Sequence, residues 1–145
     1  MNEFFNDLEM QSWGGLVYVQ GKIFQHIEND LKINSGITHS EFEVLLRLYF
    51  CNGNKARIQD LANASLLSRS GTSRAVTRLL KSGYLKRISI EEDKRGAIAV
   101  LTKEGKNIFK KASLHHSRLV REKFLNYFSK DELKMMASLW KKLNL

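Results

Sequence analysis

The chain contains no proline and only one cysteine, Cys51, in 145 residues. Without proline, nothing local forbids long uninterrupted helices. A lone cysteine cannot form an internal disulfide, and it stands in no metal-ligand spacing, which fits a reducing compartment. No apolar run reaches the roughly 18 to 20 residues that a membrane span requires. The start MNEFFNDLEM is acidic and lacks the basic segment of a secretory signal, so the expected location is cytoplasmic, with no membrane role. Glutamine-, serine- and proline-rich tracts are missing as well. With 43% apolar content the chain is long enough for one well-buried globular domain and short for two.

Chemistry-bearing motifs are equally scarce. There is no nucleophile elbow, no Gly-rich phosphate loop after a strand and no HExxH, so neither an enzyme nor a cofactor is expected. His26, His39, His115 and His116 contain no H-x₃-H pair, and the adjacent His115 and His116 point about 100° apart on a helix, so no metal site is expected. Cys51 is expected as a buried small hydrophobe.

What the chain does have is positive charge, +9 in total, unevenly placed. Residues 1–32 and 33–54 are slightly acidic, at −3 and −1, while 55–102 and 103–145 carry +6 and +7. A polyanion partner follows, with nucleic acid ahead of membrane.

Phe5, Leu8, Leu16, Val19, Ile23, Ile27 and Leu31 form the stripe of a long amphipathic helix from about Phe4 to Lys32. Thr38-His-Ser-Glu41 is a capping box opening a second helix to about Phe50. Lys55–Arg57 could be a very short strand. Ile58, Leu61, Ala62 and Leu66 predict a short third helix, and Ser68 caps a fourth that Gly83 closes near Ser82. From Tyr84 the period alternates: 84–90 and 97–102 predict a β-hairpin with the polar tip Glu91–Gly96. Ile108, Ala112, His116, Leu119, Phe124 and Phe128 predict one long helix from about Lys103. Ser129-Lys-Asp-Glu132, a second capping box, opens a last helix carrying Leu133, Met136, Trp140 and Leu143.

The fold class is therefore mainly α with a small β-hairpin wing (α+β). Two short helices followed at once by a basic-tipped hairpin make a winged helix-turn-helix, whose second helix enters the major groove of DNA. On that helix Thr72, Ala75, Val76, Leu79 and Leu80 share one arc. Ser70, Ser73, Arg74, Thr77 and Lys81 share the opposite one, with Arg78 at its edge and Arg69 in the first turn. This outward face holds no carboxylate. Its hydroxyls can bond phosphates or bases, and Arg74 and Arg78 can offer bidentate donors to guanine. Thr72 points inward and is left out of the site.

The runs Ile58-Gln-Asp-Leu61-Ala62, Leu67-Ser68-Arg69-Ser70, Val76-Thr77-Arg78-Leu79 and Gly83-Tyr84-Leu85 resemble the MarR family of winged helix-turn-helix regulators. So does Asp93-Lys94-Arg95 followed by Leu101-Thr102-Lys-Glu-Gly105, the most specific part of the match. The resemblance implies a homodimer in which 1–34 and 103–145 form a helical dimerisation layer and 35–102 the DNA-binding domain. It implies a transcriptional regulator of double-stranded DNA, a repressor being the expected sense, on a pseudo-palindromic operator. It further implies that Arg95 reaches into the minor groove beside Lys94, with Asp93 holding the wing. Finally it implies a small-molecule cavity walled by Trp13, Tyr18, Phe42, Tyr49, Phe109 and His116, suited to an aromatic or anionic effector. The alternatives within the family are a regulator without an effector and a metal- or redox-responsive one. Outside it stand an RNA-binding winged helix and a membrane-surface protein using the basic C-terminal helices.

Overall fold

The computed structural model describes residues 4–64, 68–89 and 96–143. The elements run α1 (Asp7–Ser35), α2 (His39–Phe50), β1 (Lys55–Arg57), α3 (Ile58–Ala64), α4 (Arg69–Lys81), β2 (Leu85–Ser89), β3 (Ala97–Leu101), α5 (Lys103–Lys123) and α6 (Lys130–Lys141). This is the expected order. Leu66, Leu67, Ile90, Asp93, Lys94 and Arg95, all used in the sequence reading, lie outside the described residues.

Helix ends follow local chemistry. Asn6 and Glu9 bond each other's backbone N–H at 3.0 and 2.9 Å, so α1 starts at Asp7, later than its apolar stripe suggests. The Thr38–Glu41 capping box closes as expected, with Glu41 Oε2 on Thr38 N at 2.7 Å and Thr38 Oγ1 on Glu41 N at 3.2 Å. A cap of this kind contributes about 1 kcal/mol. At the far end of α2, Asn54 Nδ2 donates to the carbonyl of Tyr49 at 2.8 Å, satisfying an acceptor the helix leaves open.

Two compact units emerge, residues 30–115 and the pair of segments up to 29 and from 116 onward. In the first, α2, α3 and α4 pack on a three-stranded antiparallel sheet ordered β1-β3-β2. Its core is Leu45, Leu48, Leu61, Val76, Leu79, Leu85, Leu101 and Phe109, each at most 5% exposed. Burying each such side chain contributes roughly 1.5 to 3 kcal/mol, which is what holds the short α3 and α4 as helices at all.

The exit from the hairpin is locked by the Leu-Thr-x-x-Gly motif. Thr102 Oγ1 donates toward the carbonyls of Gly83 and Tyr84, at 2.8 and 3.0 Å, and accepts from Gly105 N at 2.9 Å, capping α5. Gly105 is buried, and a Cβ there would collide with the Tyr84 carbonyl and meet Leu101 Cδ1 at 2.8 Å. Only glycine lets α5 start this close to the β2 entry.

The second unit is different in character. Among the described residues, its helical segments bury only Ile27 of their large apolar side chains. Trp13, Leu16, Trp140 and Leu143 are 56, 43, 49 and 52% exposed. The spacing of Phe124 and Phe128 predicts that α5 continues to Phe128, but it stops at Lys123. Phe124 leaves helical geometry (φ −142°, ψ −65°) and a 3₁₀ turn, Leu125–Tyr127, follows. The two rings still meet, edge to face at 5.1 Å. Ser129 and Glu132 then form the expected capping box of α6.

Candidate nucleic-acid interface

The site is built on α4. Ser68 caps it by accepting from Gly71 N at 3.1 Å, and no acid occupies its first turn. With Gly71 N satisfied by Ser68, the positive end of the helix dipole meets no acid in its own first turn, which suits an external anion. At the other end Gly83, at φ +75°, lets the chain turn left-handed. Tyr84 N bonds Leu79 O at 3.0 Å and Gly83 N bonds Leu80 O at 3.1 Å, a Schellman closure that aims the chain into β2.

Between these ends the helix is two-faced. Thr72, Ala75, Val76 and Leu79 are buried, whereas Arg69, Ser70, Ser73, Arg74, Thr77, Arg78 and Lys81 are all exposed. Every residue expected on the outward face of α4 is there. Thr72 is fully buried, and its hydroxyl finds no hydrogen-bond partner among the described residues.

The exposed side chains are not equivalent. Arg74 leans back along the helix, with two long contacts of 3.4 Å to Ser70 that are weak enough to be exchanged for a ligand. Thr77 Oγ1 spends its proton on the Ser73 carbonyl at 2.9 Å. Its remaining lone pairs can only accept, which suits a base amino group better than a phosphate oxygen. Arg78 is tied to another helix, its Nε donating to Glu41 Oε1 at 2.9 Å.

A cleft of about 430 Å³ opens beside α4, lined by Ser73 and Thr77 together with Arg57, Gln59 and Arg87. These last three were not singled out from the sequence. Alternation would not have found Arg87, because it puts Arg87 on the same sheet face as the buried Leu85, whereas β2 is exposed from Lys86 onward. Arg57 and Gln59 are joined to α4 only by tertiary packing. The wing candidates Asp93, Lys94 and Arg95 fall outside the described residues, but their base is defined: Leu85 pairs with Leu101 and Arg87 with Ala99.

The six effector-cavity candidates divide between the units. Phe42, Tyr49 and Phe109 belong to the first, where Phe42 and Phe109 are buried and stack at 5.7 Å and Tyr49 lies 4.5 Å from Phe109. Those ring faces are spent on each other. Trp13 and Tyr18, in the second unit, are more than half exposed, and His116, also there, is partly buried. Cys51 is a free thiol, partly exposed rather than buried, at the rim of an apolar groove with Phe50 and Leu61. Among the described residues no three His, Cys, Asp or Glu side chains are grouped to hold a metal, and no helix is long and apolar enough to cross a membrane.

Comparison with known proteins places this geometry. The MarR family model matches residues 37–96. The HTH-type transcriptional regulator PrsX of Escherichia coli is 29% identical over 108 residues, 74% of this chain and 64% of the relative. The chain thus spans just under two thirds of the length of that relative. The structure of AbsC, a MarR family transcriptional regulator from Streptomyces coelicolor, superposes with a TM-score of 0.88 at 29% identity, over 99% of this chain and 96% of that one. A second MarR family regulator from the same organism, solved in complex with DNA, shares the fold with a TM-score of 0.89 at 24% identity, over 98% and 89% of the two chains.

Proposed function

We propose that this chain is a member of the MarR family, a reading supported by the match of residues 37–96 to the family model and by the likeness to AbsC, and that it is a sequence-specific, double-stranded-DNA-binding transcriptional regulator, a repressor, acting in the cytoplasm as a homodimer. The observation that carries the reading is the exposed face of α4: seven hydroxyl, Arg and Lys side chains and no carboxylate on a rigid helix backed by the core. A solvated helix ordinarily mixes both signs, because intrahelical pairs favour it. An acid-free face instead suits a groove walled by phosphates.

Arg74 and Thr77 are the base-reading residues in this account, and Lys81, with Arg69, holds phosphate. Arg95, supported by Asp93 and flanked by Lys94, reaches the adjacent minor groove. The dimer is supported by the apolar side chains that the terminal segments leave exposed, Leu8, Leu16, Trp140 and Leu143 among them. Such patches mark association surfaces. Two copies related by a twofold read a pseudo-palindrome with half-sites about one helical turn apart.

Control by a small aromatic or anionic effector is the least supported part, since three of its candidate walls already pack on one another. The exposed rings of Trp13 and Tyr18 favour it.

The test is selection of duplexes from a random pool by the purified protein, followed by sequencing. A pseudo-palindromic consensus supports the reading. Recovery of unrelated sequences, or equal affinity for RNA and DNA duplexes of one sequence, contradicts it.

A further inference from the structure

Glu41 does two jobs with one carboxylate. Its Oε2 accepts from Thr38 N at 2.7 Å and from Thr38 Oγ1 at 3.0 Å, closing the N-terminus of α2. Its Oε1 accepts from Arg78 Nε at 2.9 Å, fixing a side chain of α4 that lies 37 residues away in sequence. Glu41 is 7% exposed, so its position is set by the fold rather than by solvent. The Arg78 side chain, by contrast, is 48% exposed, so much of a guanidinium with five donors stays available to a ligand.

Where that guanidinium sits on α4 matters. At about 100° per residue, Arg78 lies roughly 80° from the middle of the face formed by Ser70, Ser73, Arg74, Thr77 and Lys81. A helix about 10 to 12 Å across nearly fills a major groove about 12 Å wide. Residues at the centre of its face therefore meet base edges, and residues at its flank meet the phosphate wall.

We propose that Glu41 is a positioning residue for DNA binding: it holds Arg78 by Nε at the flank of α4, where the guanidinium clamps a backbone phosphate instead of reading a base. The rotamer freedom of Arg78 is then given up on folding and not on binding. The same contact makes the start of α2 and the reading helix one rigid support. The inference rests on the DNA-binding reading of α4 above.

The experiment measures dissociation constants over a salt series for the full chain, against the selected duplex and a scrambled one. The variants are Arg78→Ala, Glu41→Gln and the double substitution. Gln retains an oxygen acceptor for Thr38 N, so the α2 cap survives. Arg78→Ala should weaken both duplexes alike, by about tenfold, and reduce the slope of log affinity against log salt by about one. Glu41→Gln should weaken both a few-fold, and the double variant should bind no worse than Arg78→Ala alone. If Arg78→Ala melts too low to assay, Arg78→Lys replaces it: the salt slope should stay while the added effect of Glu41→Gln disappears.

A fall in the ratio of specific to non-specific affinity on Arg78→Ala would make Arg78 a base reader and overturn the proposal. Multiplying losses in the double variant would overturn the positioning role of Glu41. Both of those results leave the DNA reading intact. Failure of the unaltered protein to bind any duplex would overturn that reading, and the proposal with it.

Discussion

Replacing Gly105 with alanine should destabilise the protein, although helix propensity alone says the opposite. Gly105 is the third residue of α5, and alanine there gains about 1 kcal/mol over glycine in an unhindered helix. The added methyl, however, would collide with the Tyr84 carbonyl oxygen and approach Leu101 Cδ1 to 2.8 Å. The first of these is backbone and cannot swing aside. Relieving such an overlap by shifting packed elements costs about 1 to 3 kcal/mol. The natural relief is to move α5 away from the β2 entry, and that stretches the hydrogen bond that the single Thr102 hydroxyl proton shares between the Gly83 and Tyr84 carbonyls, at about 1 kcal/mol. Set against the propensity gain, the net loss is about 1 to 3 kcal/mol. For a chain of this size that lowers the melting midpoint by about 3 to 12 °C, read by far-ultraviolet circular dichroism. An unchanged or raised midpoint would refute the claim that the Tyr84 carbonyl excludes a side chain at this position.

Thr72→Val removes a buried hydroxyl that has no partner among the described residues, so it should raise stability by about 1 kcal/mol in chemical denaturation and leave DNA affinity unchanged. A drop in stability would mean that the hydroxyl is satisfied. The Glu132 carboxyl is held below the usual carboxylate range by hydrogen bonds from the backbone and then the side chain of Ser129. A depressed carboxyl contributes stability above its unfolded value and loses it as pH falls through the folded one. The α6 cap should therefore loosen below about pH 4.5, seen as a change in Trp140 fluorescence in a Trp13→Phe background. Glu132→Gln should flatten that titration, and an unaltered titration in this variant would assign the change to another group. Light scattering should give about twice the 16.7 kDa chain mass; a monomer at micromolar concentration would remove the dimer from the account.

The helices were legible where end chemistry and apolar period agree. The two capping boxes, the Ser68 cap and the Gly83 closure each name a boundary in residues next to one another, and the inward turn of Thr72 follows from angle alone. Period without an end signal misleads. Phe124 and Phe128 keep helical spacing across the 3₁₀ turn because rings four residues apart can also touch around a bend. Nothing near Lys123 announces the stop. The base of the site, α4, could be read because a single helix face is a local object. Arg57 and Gln59, and the second duty of Glu41, could not, since they join α4 only through the packing of α2, α3 and the sheet. The Leu-Thr-x-x-Gly run was visible as a pattern. Its cause, the contact of Gly105 with the Tyr84 carbonyl, becomes visible only when β2 and α5 are brought together.

Base reading by the outward face of α4 is tested most directly by one ratio. The affinity of the protein for its selected duplex, divided by that for a scrambled duplex of the same composition, is measured at one salt concentration for the unaltered chain and for Arg74→Ala. Loss of a bidentate arginine contact costs about 1 to 3 kcal/mol of discrimination, so the ratio should fall by about 5- to 150-fold while scrambled-duplex binding weakens far less. An equal fall on both duplexes, leaving the ratio unchanged, would place Arg74 on phosphate and contradict the assignment of α4 to base reading.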